Sequence, residues 1–206
     1  MSGKNENVAN VIRYKAHYVV ESEWIDENSI SNDYDYESKE GVIVLKDGVT
    51  EIGNGAFMKC SGLKSIIIPD SVTKIGYAAF YCCEGLTSLV IPDTVTEIGE
   101  NAFNDCFGLA TVKISKSLTE IAEATFWQCK GLKSVVIPDS VKKIGKTAFW
   151  VCEGLETVII PYSVEEVGEE AFANCDSLQK IVIPRGMTYQ FKKFLSEDLW
   201  DRLVER

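Results

Sequence analysis

From residue 42 onward, apolar positions fall into columns. Phe57, Phe80, Phe103, Phe126, Phe149 and Phe172 are spaced 23 residues apart without an insertion. Cys60, Cys83, Cys106, Cys129, Cys152 and Cys175 keep the same step, as do Leu63, Leu86, Leu109, Leu132, Leu155 and Leu178. A further column runs Ile52, Ile75, Ile98, Ile121, Ile144 and Val167. Within a unit, Leu63-Lys-Ser-Ile66-Ile67-Ile68 ends in β-branched alternation, which predicts a strand closed by Pro69. Ala56, Phe57 and Cys60 lie at i, i+1 and i+4, which predicts one face of a short helical turn. Gly62 is expected to permit the reversal into the next strand. One strand and one turn cannot bury their own apolar faces. The units must stack, each covering the next, with a parallel sheet along one side.

The ends of such a stack need covers. Val42–Leu45 reads as the strand of an N-terminal half repeat, and the apolar residues of Val8–Val20 are expected to add a strand or helix over the first coil. At the other end Phe191, Leu195, Leu199 and Leu203 follow i, i+4 spacing, widened by Phe194, Trp200 and Val204, which predicts an amphipathic capping helix. Membrane insertion is disfavoured there by Glu197, Asp198 and Asp201. The expected organisation is a cap with an acidic loop over 1–41, a solenoid over 42–186 and a capping helix over 187–206.

The repeating sentence Leu-x-x-Ile-x-Ile-Pro-x-Ser-Val-x-x-Ile-Gly-x-x-Ala-Phe-x-x-Cys resembles the BspA-like class of leucine-rich repeat, over about Val42 to Pro184. The resemblance implies an α/β leucine-rich-repeat solenoid of six 23-residue repeats plus a half repeat. It also implies bacterial or protist proteins, often at the cell surface and sometimes engaged in adhesion to host proteins. The family's common asparagine position is here a hydroxyl, in Ser71, Thr94, Ser117, Ser140 and Ser163, expected to bond to turn amides of adjacent coils. Gly186 in the sixth repeat signals the end of the regular stack.

Composition narrows the function. A net charge of −10 disfavours direct nucleic-acid binding, since phosphates would be repelled. The opening MSGKNENVAN lacks the apolar run of a secretory signal, so the chain as it stands is expected in the cytoplasm, and at the cell surface or secreted if a leader preceded it. The cysteines come one per repeat rather than in close pairs, which argues against zinc and for buried thiols acting as small hydrophobes. Off-column Cys82 is the thiol expected to be accessible. His17 is the only histidine and has no partner for nucleophilic chemistry. No catalysis, cofactor or metal is expected. The segment Asp33-Tyr34-Asp35-Tyr36-Glu37 mimics the opening of a calcium loop, but Ser38 and Val44 stand where such a loop needs glycine and glutamate.

Three surfaces are candidates for a protein partner. One is the outward row of the strands, Val44, Ile67, Val90, Lys113, Val136, Ile159 and Val182, expected on the concave side; Lys113 interrupts it, and Ser115 replaces the neighbouring proline. It reads either as β-propensity in a ladder or as a binding strip. Another follows the phenylalanines by one residue: Met58, Tyr81, Asn104, Trp127, Trp150 and Ala173. Here Trp127 and Trp150 read either as a binding hot spot or as seals of the core edge. The third is the acidic run 21–40, with eight acids and one lysine, in which Trp24, Tyr34 and Tyr36 alternate with Asp33, Asp35 and Glu37. It reads either as solvated or as a grip for a basic partner. Two functions fit: a surface or adhesion-type binding scaffold, or an intracellular interaction protein that blocks a basic groove of a target enzyme with its acidic surface.

Overall fold

The computed structural model describes residues 10–206. The chain opens with strand β1 (Val11–Ala16), helix α1 (Glu23–Asn28), β2 (Ser29–Asp35) and β3 (Glu40–Leu45). It then winds through coils that each carry a main strand and a two-residue strand. The main strands are β5 (Leu63–Ile67), β7 (Ser88–Val90), β9 (Thr111–Lys113), β11 (Ser134–Val136), β13 (Thr157–Ile159) and β15 (Lys180–Ile183). The short strands are β4 (Glu51–Ile52), β6 (Lys74–Ile75), β8 (Glu97–Ile98), β10 (Glu120–Ile121), β12 (Lys143–Ile144) and β14 (Glu166–Val167). Pairing is parallel with a 23-residue register, as in Val135 against Val158 and Ile121 against Ile144. The predicted stack of six repeats and a half repeat is therefore the architecture.

The third side of each coil is a pair of tight turns rather than the predicted helical turn, so helix is confined to the caps among the described residues. The turn amides bond forward to the next coil. Phe57, Phe80, Phe103, Phe126 and Phe149 donate their N–H to the carbonyls of Ala79, Ala102, Thr125, Ala148 and Ala171 at 2.7–2.9 Å. Aiming these amides along the stack takes two left-handed residues per coil. One column is Gly55, Ala78, Asn101, Ala124, Thr147 and Glu170; the other is Lys59, Cys82, Asp105, Gln128, Val151 and Asn174. Gly62 is absent from these columns. It and its equivalents instead allow close approach: a Cβ on Gly85 would lie 2.4 Å from the Ser61 carbonyl oxygen.

The interior is built from the predicted columns. The six phenylalanines are buried and stacked near-parallel, with ring centroids 4.9–5.5 Å apart. The cysteine thiols do more than fill space. Cys83, Cys106, Cys129, Cys152 and Cys175 each donate to the phenylalanine carbonyl of the preceding coil at 3.0–3.3 Å. All are free. Burial pushes Cys83, Cys106, Cys129 and Cys152 up, which keeps these thiols protonated as donors. The hydroxyl column also differs from expectation. Thr94, Ser140 and Ser163 donate to the carbonyls of Val72, Leu118 and Val141 at 2.7–2.8 Å, and Ser117 donates to Asp93 O at 2.6 Å. The partners are carbonyls rather than amides, because the turn amides are already committed to the ladders.

The caps depart most from the sequence reading. β3 does not stack in parallel on β5. β1 is inserted between them, antiparallel to both, giving the order β2-β3-β1-β5. The apolar residues of β1 alternate inward, with Ile12, Tyr14 and Ala16 buried, so the strand option for that segment is the one realised; Val8 and Ala9 lie outside the described residues. The predicted C-terminal helix is divided into α2 (Thr188–Phe194), a 3-10 helix (Glu197–Arg202) and β16 (Leu203–Glu205), which pairs in parallel with β15. Phe191, Leu195 and Leu199 still cover the last coil.

Candidate binding faces

The outward row of the main strands is where alternation places it. Ile67, Val90 and Val136 are 62%, 57% and 59% exposed, and Lys113 is exposed between them; Ile159, Val182 and Val44 are half-buried. A shallow groove of about 610 Å³ crosses this face, lined by Ile67, Val90 and Lys113 with Asp70 and Asp93 at its side. The larger groove lies elsewhere. About 830 Å³ opens along the short strands, so the larger of these two grooves is on that side and not over the apolar row.

That groove is lined by Lys74, Glu97, Glu120, Lys143 and Glu166, charges with a 23-residue period in a column that starts at Glu51. Lys74 bridges Glu51 at 3.8 Å and Glu97 at 3.1 Å; Lys143 bridges Glu120 at 3.1 Å. Glu97 raises the Lys74 ammonium above its ordinary range and Glu120 does the same for Lys143. Glu97 and Glu120 are consecutive in the column, and Glu100 and Glu123 line the groove beside them. None of these residues is among the candidates read from the sequence, although charged residues recurring at the repeat spacing are a signal.

The aromatic stripe is half-buried. Trp127 and Trp150 pack edge to face, centroids 4.6 Å apart, each spending surface on the other. Tyr81 is also half-buried; the adjoining Cys82 thiol and Asp105 push its hydroxyl up to about 12. Asn104 is buried, its side-chain NH₂ donating to Asn101 Oδ1 at 2.8 Å. Cys82, expected to be accessible, is half-buried with its thiol 3.7 Å from Asp105 Oδ2. Burial raises its pKa, and the Asp105 carboxylate adds to the rise, so little thiolate is available.

The acidic run is not a loop. It forms α1, β2 and the hairpin turn into β3. Trp24 packs on the Phe57 ring, centroids 6.3 Å apart, and so covers the first coil. Tyr34 stacks on Tyr14 at 6.1 Å and donates to Ala16 O at 2.7 Å. Asp35 accepts the Glu37 amide at 2.8 Å, which builds the turn and holds its carboxyl below the ordinary range. Asp33, Tyr36 and Glu37 face solvent, with Tyr36 set edge-on against Tyr34 at 4.9 Å. The structure thus separates the three candidate surfaces rather than merging them. His17 is exposed just beyond β1. Among the described residues, no cluster of three or more His, Cys, Asp or Glu is placed to hold a metal ion, and no helix is long and apolar enough to cross a membrane.

Comparison with known proteins fits this geometry. A sequence profile described as the BspA type leucine rich repeat region matches residues 28–155 and 121–197, in six copies. No curated protein matches. Among solved structures, a T. pallidum leucine-rich repeat protein is 35% identical, with 56% of this chain and 53% of that chain covered and a TM-score of 0.53. The pneumococcal vaccine antigen PcpA is 22% identical over 79% of this chain and 36% of that one, with a TM-score of 0.57. A leucine rich cell surface protein of Faecalibacterium prausnitzii is 24% identical over 79% of this chain and 62% of that one, with a TM-score of 0.47. The aligned part of the chain thus spans less than two-thirds of the length of each: 53% of the T. pallidum protein, 62% of the Faecalibacterium protein and 36% of PcpA. With the profile covering most of its length and the coils stacked as that repeat requires, the chain belongs to the BspA-type leucine-rich repeat family.

Proposed function

We propose that this repeat scaffold is a non-catalytic protein-binding module whose partner lies along the outer row of the main strands. The observation that carries this reading is the exposure of Ile67, Val90 and Val136, each more than half open to solvent on the outward side of its main strand. Strand stacking spaces such side chains about 4.8 Å apart, which favours an extended apolar partner surface. Asp70 and Asp93 beside the row favour basic side chains on the rim of that partner. Tyr81, Trp127 and Trp150 are a second contact zone on another side of the coil, weakened by the two indoles packing on each other. Adhesion at a cell surface is supported by family resemblance.

Affinity capture from the source organism and its surroundings, run with Val90→Asp/Val136→Asp beside the wild type, tests the strip. Both positions are exposed, so the fold is expected to persist by circular dichroism while capture is lost. Full capture by this folded variant would reject the strip. Full capture by Trp127→Ala/Trp150→Ala would reject the aromatic zone.

A second reading rests on the carboxylates of the larger groove and the acidic cap: an inhibitor that occupies a basic groove of an enzyme. Its signature is affinity that falls steeply as salt rises, and binding indifferent to salt would exclude it.

A further inference from the structure

The sheet ladders are not continuous, and the short-strand side has a single gap among the described residues, where coil 109–131 begins. On the short-strand side the described strands form two separate sheets, β4-β6-β8 and β10-β12-β14. On the main side β9 pairs back to β7, whereas β11 pairs forward to β13. Coil 109–131 therefore gives its main strand to the coils before it and its short strand to the coils after it. The main side has gaps between β5 and β7 and between β9 and β11, and at both the short strands remain paired, so the gap between β8 and β10 is the one that opens the short-strand side.

The cause is legible in one column. Gly53, Gly76, Gly99, Gly145 and Gly168 recur at the repeat spacing, and coil 109–131 has Ala122 instead. A Cβ on Gly99 would lie 2.6 Å from the Tyr77 nitrogen of the coil before it; on Gly168 it would lie 2.4 Å from the Lys146 nitrogen. Neither separation is tolerable between non-bonded heavy atoms. Gly76, Gly99, Gly145 and Gly168 each donate their N–H to the preceding coil, to Ile52 O, Ile75 O, Ile121 O and Ile144 O respectively, at 2.7–2.8 Å.

 The equivalent bond from Ala122 to Ile98, and that from Thr119 to Thr96, are missing among the described residues. The methyl of Ala122 holds β10 away from β8, and Glu97 and Glu120 add like charge across the same junction. Side chains bridge it instead: Ser115 Oγ donates to Val95 O at 2.6 Å, and the Lys116 amide donates to Asp93 Oδ1 at 3.0 Å. On the turn side the junction is intact, with Phe103 N–H to Thr125 O and Asp105 N–H to Trp127 O, both 2.9 Å.

We infer that the start of coil 109–131 is a flexural seam: the solenoid bends there, hinged on the unbroken turn ladder and the β7–β9 pair, and the groove of Glu97 and Glu120 widens and narrows as it does. Bending changes the tilt between Ile67 with Val90 and Val136 with Ile159, so the outer row can adapt to a partner's curvature. The inference rests on the ladders and not on the binding proposal.

Residue-resolved hydrogen exchange and a distance measurement test it together. Thr119 and Ala122 amides are expected to exchange ~100-fold faster than Thr96, Gly99, Lys142 and Gly145, while Phe103 and Asp105 stay as slow as Phe126 and Gln128. Ala122→Gly is expected to slow residues 119 and 122 by at least ~10-fold. Spin labels at Tyr77→Cys and Lys146→Cys, in a Cys82→Ser background, should give a broad distance distribution that narrows on adding Ala122→Gly. Uniform exchange across the coils, or equal widths with and without Ala122→Gly, would overturn the seam.

Discussion

The turn side and the sheet side of this solenoid are made by the same coils, yet they tolerate departures differently. Along the turns, phenylalanine and cysteine recur in every coil from residue 57 to 175, and the ladder from Phe57 to Phe149 is unbroken. Along the strands, coil 109–131 alone carries Lys113, Ser115 and Ala122, and there the pairing is divided. The difference follows from what each position meets. A turn residue points into the stack and touches its own equivalents above and below, so one exception disturbs two neighbours. A strand's outward residue meets water, and a lost sheet bond can be replaced by a serine or an aspartate.

The largest effect expected is therefore on the turn side. Phe126→Ala removes a ring stacked between Phe103 and Phe149 at 5.5 and 5.3 Å. It should cost about 3–5 kcal/mol in denaturant unfolding, whereas Val136→Ala on the exposed row should cost less than about 1 kcal/mol. Similar losses would mean that the two sides carry the fold equally.

Cysteine divides the comparison more finely. Cys129→Ala removes a buried sulfur and the donor to Phe103 O and is expected to cost about 1–3 kcal/mol. Cys60 begins the column, is half-buried, and has only Met58 O near its thiol, at 4.0 Å. Cys60→Ala should cost less than half as much. Burial nevertheless raises the Cys60 thiol to about 11, so slow reaction of both thiols with alkylating agents in the native state is expected.

The repeat, its period and its interior were legible because each rests on side-chain type recurring at fixed spacing. The left-handed columns were legible only in part. Gly55, Asn101, Asp105 and Asn174 are residues that tolerate positive φ, but Ala78, Thr147 and Val151 in the same columns hide the signal. The insertion of β1 between β3 and β5 was not legible, since an alternating strand does not say which edge it joins. Nor was the division of the C-terminal segment, where i, i+4 spacing persists through Leu195 although the helix stops there. Of the candidate site residues, the exposed row followed directly from alternation. Trp24 did not, because an aromatic that covers a coil end looks the same in sequence as one that awaits a partner.

Strain at the turns gives an effect of the opposite sign. Val151 is β-branched and held at φ 56°. Such a residue in the left-handed region costs of order 1–3 kcal/mol. Val151→Asn is expected to stabilise the protein by about 1 kcal/mol, because asparagine accepts that conformation more readily. A loss of stability would show that the Val151 side chain contributes more by packing than its backbone costs.

The smallest effect belongs to the C-terminal cap, where β16 continues the main-strand ladder but α2 joins neither ladder. The N-cap of α2, Met187, offers no side-chain hydrogen bond, and Glu205 supplies one from a distance: its Oε1 accepts Thr188 Oγ1–H at 2.6 Å and the Thr188 amide at 3.3 Å. These bonds favour the carboxylate and hold the Glu205 pKa below its ordinary value. A depressed folded-state pKa contributes stability that is present above the unfolded value and lost as pH falls through the folded one. Acidification through that window should lower the unfolding midpoint slightly more for wild type than for Glu205→Gln. Identical pH dependence in the two proteins would show that the Thr188 contact does not hold the cap, and that Phe191, Leu195 and Leu199 close the last coil by burial alone.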